Sequence, residues 1–296
     1  MANTLPTAVL GRTGVKVTRL GYGAMELRGD MSRGRTVTEE RAEKVLNTLL
    51  DEGVNFIDTA DCYGRSEEFI GRFLSRRRSE FTLATKCGCT PEGPKLWTRD
   101  NLFVGLHRSL KRLNADHIDV MQLHGANPQQ CEEGGLVDAL NEMKAQGKVR
   151  WIGASTTTPN IEVFAGWGVF DEFQIPYSAF YRATEGTISV AAKAGMGTVI
   201  RGGVAKGAPG AGLGKEDAWK LFSDAGLGEL EAPGETPTAF MLRFTMSHPD
   251  VNTIIVGTQN PDHLRENVRT AKKGPLEPSV YVEAKRRLDA VKKDVQ

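Results

Sequence analysis

Short apolar runs rich in β-branched residues recur along this chain, separated by longer stretches in which apolar side chains return every third or fourth position. The runs are TRLGYG (18–23), VNFIDT (54–59), FTLATK (81–86), IDVMQLH (118–124), VRWIGAS (149–155), EFQIPY (172–177), GTVIRG (197–202) and VNTIIVG (251–257), and each reads as a strand. Between them EERAEKVLNTLLDEG (39–53), RDNLFVGLHRSLKRLN (99–114) and LVDALNEMKAQGK (136–148) carry the 3.6-residue period of amphipathic helices. Thr38, Thr98 and Pro261 stand where helices should start, and Gly53 and Gly147 where helices should stop. Eight strands alternating with helices call for right-handed βα crossovers, and closing them into a ring leaves no exposed sheet edge. The pattern therefore predicts one TIM-type (β/α)8 barrel over residues 1–296, with an extra amphipathic helix in EPSVYVEAKRRLDAVKKD near the C-terminus. A doubly wound open sheet is the competing architecture, but GYGAMELRG after the first strand fits no G-x-G-x-x-G template.

Two segments are loops on this reading. Residues 202–236 exceed an ordinary βα connection and are expected to form a lid over a ligand, with a short helix in KEDAWKLFSDAG and close backbone approach at Gly202, Gly203 and Gly207. The Gly-rich RGGVAKGAPGAGLGK is no P-loop, because Pro209 takes the place of its first glycine and Glu216 follows Lys215. ANPQQCEEGG (126–135) reads as a second rim loop.

Composition narrows the function classes. With 38 Lys and Arg against 37 Asp and Glu, the chain has no net field to attract nucleic acid or a membrane surface. It lacks an apolar run of membrane-spanning length and a basic-then-apolar leader, so a cytoplasmic location is expected. Four cysteines, Cys62, Cys87, Cys89 and Cys131, are too few to staple 296 residues, which points to reduced thiols. The KCGC pair has no second cysteine pair or closely spaced histidine pair to complete a zinc site, so small buried residues and no metal are expected.

Active sites of such barrels lie at the C-terminal ends of the strands. Asp58 ends the second predicted strand, Tyr63 stands on the loop after it, Lys86 ends the third and His124 ends the fourth. Each has an ordinary structural explanation alone, but consecutive strands would bring all four to one mouth. An ammonium beside a phenol favours the phenolate, and a carboxylate would keep that ammonium charged and oriented, so Lys86 and Asp58 are expected to make Tyr63 more acidic. His124 would hydrogen-bond a substrate carbonyl oxygen.

DTADCYG, TKCG and MQLHG resemble the signatures of the aldo-keto reductases, and so do LGRTGVKVTRLGYGAM, GAST, FQIPYS and GTQNPDHLREN, which together run through nearly the whole chain. The resemblance implies an N-terminal β-hairpin, a catalytic tetrad of Asp58, Tyr63, Lys86 and His124, and reduction of aldehydes or ketones by an extended nicotinamide dinucleotide. It places Ser155, Thr156 and Gln174 at the carboxamide, with Thr156 where an asparagine is usual, and Gly23 and Met25 nearby. Arg201 falls where relatives stack an aromatic ring on the nicotinamide, followed by Gly202, Gly203, Val204 and Gly207. Glu266 and Asn267 match the adenine contacts. Relatives commonly hold the 2′-phosphate with Lys or Arg in a loop where this chain has Gly257, Thr258, Gln259 and His263, with Arg265 close by; NADPH is the expected cofactor, with NADH also open. Met25, Tyr63, Trp97 and His124 would wall the pocket for a small carbonyl substrate, Trp97 serving equally well as a loop anchor. A monomer or weak homo-oligomer is expected. Two other classes stay open: a cofactor-binding, redox-sensing regulatory subunit, and a lyase or isomerase forming a Schiff base on Lys86.

Overall fold

The structure, a computed structural model, describes residues 4–29, 36–90 and 93–293. Eight parallel strands close into a barrel: β3 (Leu20–Gly23), β4 (Phe56–Asp58), β5 (Thr82–Cys87), β6 (Ile118–Leu123), β7 (Val149–Ser155), β8 (Glu172–Pro176), β9 (Gly197–Arg201) and β10 (Thr253–Val256), with β10 paired to β3. All eight predicted runs hold a strand. The first predicted run is shorter than expected, because Thr18 belongs to a separate antiparallel hairpin of β1 (Thr7–Val9) and β2 (Lys16–Thr18). That hairpin stoppers the N-terminal end of the barrel: its Leu10 and Val17 are fully buried against Phe56, Ala84, Val120 and Val199, which point inward from four strands.

The outer layer consists of α1 (Glu39–Asp51), α2 (Ser66–Leu74), α3 (Arg99–Leu113), α4 (Pro128–Glu133), α5 (Leu136–Ala145), α6 (Asn160–Trp167), α7 (Glu185–Lys193), α8 (Glu216–Asp224), α9 (Pro237–Met246), α10 (Pro261–Lys272) and α11 (Pro278–Lys293). The punctuation works as its chemistry demands. Thr38 and Thr98 accept hydrogen bonds from the amides of Arg41 and Asn101, and Pro261 opens α10 behind an Asn260 cap. Gly53 and Gly147 follow α1 and α5 at φ of 82° and 71°. None of the helices among the described residues is long and apolar enough to cross a membrane.

Both expected loops are more ordered than their composition suggested. Segment 126–135 contains the helix α4, closed by a reciprocal capping box between Asn127 and Gln130; the Asn-Pro start carries that signal, and a six-residue helix is too short for periodicity to reveal. The long excursion after β9 folds back on itself, with the Leu213 amide donating to the Lys206 carbonyl (2.8 Å) and the Gly214 amide to that of Gly207 (3.1 Å). Its predicted helix, α8, is anchored by Trp219 and Phe222, whose rings lie 5.2 and 5.9 Å from those of Phe180 and Phe240.

Candidate active site

The barrel's alternation sends Asp58, Lys86, Gln122, Ser155 and Gln174 inward near the C-terminal rim, one layer above the apolar floor. Lys86 is 0% exposed, and its Nζ donates to both oxygens of Asp58 (2.8 and 2.6 Å) and to the Thr59 carbonyl (2.7 Å). Asp58 also accepts from Gln174 Nε2 at 2.7 Å, while Gln174 Oε1 accepts from the Ser155 hydroxyl at 2.9 Å. Burial pulls the Lys86 pKa down, but the charges of Asp58 and Tyr63 outweigh it and the net shift is upward. A raised pKa and three acceptors hold Lys86 as an ammonium, which has no lone pair to attack a carbonyl and weighs against a Schiff base there.

Tyr63 stands on a tight turn. Its amide donates to the Ala60 carbonyl at 2.9 Å, and Ser66, which donates to the Ala24 carbonyl (2.8 Å) and accepts from the Thr59 hydroxyl (2.9 Å), pins the turn to the barrel. Beside Tyr63, the buried Asp61 is clamped by Arg108 (Nε to Oδ1, 2.7 Å) and Arg112 (3.0 Å) from α3. The phenol ring lies 5.0 Å from Lys86 Nζ and packs edge-on against His124, with ring centroids 5.8 Å apart. Here one expectation needs correction. Burial raises the Tyr63 pKa, the Lys86 ammonium lowers it, and burial wins, so the free phenol is less acidic than an ordinary tyrosine. His124 is neutral at pH 7, its pKa lowered chiefly by burial.

These groups head a long cleft of about 1060 Å³. Gly23, Met25, Asp58, Tyr63, His124, Ser155, Thr156, Gln174, Arg201, Gly202, Gly203, Val204, Gly207, Gly257, Thr258, Gln259, His263, Glu266 and Asn267 all line it, whereas Lys86 lies buried beneath. Its two walls are the excursion after β9 and the β10–α10 loop, which is tied to the first barrel strand by Tyr22 donating to the Thr258 carbonyl (2.6 Å) and to the helical turn after that strand by Gln259 donating to the Glu26 carbonyl (2.7 Å). A smaller adjoining pocket of about 350 Å³ is lined by Thr36, Arg41, Thr258, Gln259, Asn260 and His263. Two residues fall outside the cleft. Arg265 pairs with Asp262 (3.0 Å) and Glu52 (3.5 Å) instead. Trp97 packs on Gly88, where any Cβ would lie 2.1 Å from the indole, so its position fits the loop-anchor alternative.

The cysteines depart most from expectation. Cys87, Cys89 and Cys131 are buried, but Cys62 is exposed beside Tyr63. The sulfurs of Cys62 and Cys89 each lie 3.4 Å from Nδ1 of His124. The hydrogen bond the two thiols share lowers the Cys62 pKa and raises that of Cys89, so the thiolate is favoured at Cys62. Gln122 and Glu172, inside the barrel, go unremarked in the sequence reading, although the alternation of MQL and EFQ points both inward. Glu172 is 0% exposed with both carboxyl oxygens unpartnered among the described residues, in space left by the absent side chain of Gly153.

The aldo/keto reductase family profile matches residues 19–286, and this chain belongs to that family. It is similar to an aldo-keto reductase of Bacillus halodurans solved in its holo form, at 25% identity, 96% coverage of both chains and a TM-score of 0.84. It is 28% identical to the uncharacterized oxidoreductase YqkF of Bacillus subtilis, over 88% of this chain and 90% of that one. It is also 27% identical to a probable voltage-gated potassium channel subunit beta of Arabidopsis thaliana, over 90% and 91% of the two chains.

Proposed function

We propose that this enzyme reduces the carbonyl of a small aldehyde or ketone to the alcohol with NADPH, Tyr63 acting as general acid. The carrying observation is the buried Asp58–Lys86 pair set under Tyr63 and facing His124 at the head of one continuous cleft. The nicotinamide, when bound, supplies the hydride. The cleft's length, its glycine-lined wall and the Ser155–Gln174 pair fit an extended dinucleotide with its carboxamide at the barrel mouth. In the adjoining pocket the Arg41 guanidinium offers positive charge and the His263 imidazole a hydrogen bond for a 2′-phosphate, which favours NADPH over NADH.

A donor must hold its proton until it is needed, and the raised pKa of Tyr63 keeps Oη protonated at neutral pH. As the substrate oxygen takes that proton, Lys86 stabilises the phenolate left behind, while Asp58 keeps Lys86 from surrendering its own proton. His124 orients the carbonyl oxygen from the other side of the mouth. The test is oxidation of NADPH with 4-nitrobenzaldehyde. Turnover should fall by about 10²–10⁴ in Tyr63→Phe with cofactor affinity retained, and an unchanged rate would overturn the role of Tyr63.

The relative named as a probable potassium channel subunit beta gives a partner protein to a second reading, a cofactor-binding subunit whose redox state that partner would read. It requires tight cofactor binding with almost no turnover for any small carbonyl, so the same assay separates the two.

A further inference from the structure

We propose that Cys62 Sγ, Cys89 Sγ and His124 Nδ1 form a binding site for a thiophilic divalent cation, Zn²⁺ fitting best. The three donor atoms lie within 4.8 Å of one another, and both sulfurs are 3.4 Å from the same ring nitrogen. Tetrahedral zinc with Zn–S near 2.3 Å and Zn–N near 2.0 Å requires a sulfur-to-nitrogen separation of ~3.5 Å, so both sulfur-to-nitrogen distances already match such a site. Two thiolates and a neutral imidazole balance the charge of the ion, and the set lacks the hard carboxylate donors that would favour Mg²⁺ or Ca²⁺. Three ligands leave a fourth position for water, as in open zinc sites.

The site is built on a rigid frame. Its ligands come from the loops just beyond β4, β5 and β6, three neighbouring strands of the barrel, and the loop bearing Cys62 is held by the Arg108 and Arg112 clamp on Asp61. The Lys95 ammonium donates to the His124 carbonyl, fixing the backbone of the third ligand. An imidazole bound through Nδ1 keeps its remaining proton on Nε2, so a filled site imposes one tautomer on His124.

Titration of the reduced protein with Co²⁺ under anaerobic conditions tests this directly. The expected result is saturation at one equivalent, with a thiolate-to-cobalt charge-transfer band in the near ultraviolet, intense tetrahedral bands in the visible, and bleaching by Zn²⁺. In Cys89→Ser, with far-ultraviolet dichroism showing the fold intact, affinity should drop by more than about tenfold and the charge-transfer band should lose half its intensity. Cys131→Ser, which changes a cysteine outside the three-donor set, should titrate like the parent. No charge-transfer band with the unsubstituted protein, or the same band in Cys89→Ser, would overturn the assignment. The spectra need no turnover, so their failure is separate from failure of the catalytic reading.

Discussion

Asp58 and Glu172 are carboxylic acids in the same barrel interior, and their surroundings could hardly differ more. Asp58, near the rim, accepts two bonds from Lys86, one from Gln174 at 2.7 Å and a longer one from Gln122 at 3.5 Å. Glu172 sits two residues before Gln174 on β8, without a partner for either oxygen, and burial together with the nearby Asp58 charge pushes its pKa well above the carboxylate range. One acid has donors converging on both its oxygens; the other keeps its proton because nothing repays the loss of water. Residue type and burial alone therefore do not fix the charge of a buried group. The donors within reach do.

The sharpest way to break this comparison is to strip Asp58 of its ammonium. Lys86→Met leaves a buried carboxylate facing a methyl group, and urea unfolding should show a loss of about 3–5 kcal/mol. Restoring neutrality with Asp58→Asn in the same chain should recover a large part of that loss, and simple additivity of the two changes would show that the pair is not coupled.

Glu67 on α2 lies between the extremes. It accepts from the Thr85 hydroxyl at 2.7 Å and has Arg112 at 3.6 Å, and burial still raises its pKa to about 7. A carboxyl whose folded pKa is raised binds its proton more tightly in the native state than in the unfolded chain. Its contribution to stability is therefore full below about pH 4.5 and is lost as the pH climbs through 7. Glu67→Gln removes that loss, so the stability of the variant relative to the parent should rise by about 2 kcal/mol between pH 5 and pH 8. A difference independent of pH would contradict the raised pKa.

Glu172→Gln gives the smallest effect at mildly acidic pH. An amide replacing a protonated carboxyl should change stability by less than about 1 kcal/mol at pH 6, with the variant gaining on the parent as the pH rises. A loss above about 2 kcal/mol at pH 6 would mean that Glu172 is charged and paired after all.

Much of this could be read from the chain alone. Apolar runs of strand length, threonine caps, the proline helix start at Pro261 and glycine stops are local signals, and the barrel follows from their alternation because a closed parallel sheet is the simplest way to bury them all. Asp58, Lys86 and His124 sit at strand ends by the same local logic, and the expected cofactor residues share one cleft. The short helix α4 escaped because one and a half turns cannot establish a period.

The rest depended on neighbours distant in sequence. Cys62 and Cys89 look unrelated until β4, β5 and β6 set them around one imidazole, and Trp97 could not be separated from the cleft until it was seen lying on Gly88. The acidity of Tyr63 shows the same division: the sequence supplied a lysine to lower it, but the depth of burial, which raises it more, is a property of the folded volume around the ring. Periodicity and capping act over a few residues and are written in order along the chain, whereas desolvation and donor geometry depend on which atoms share a few ångströms of space, and only the closed barrel decides that.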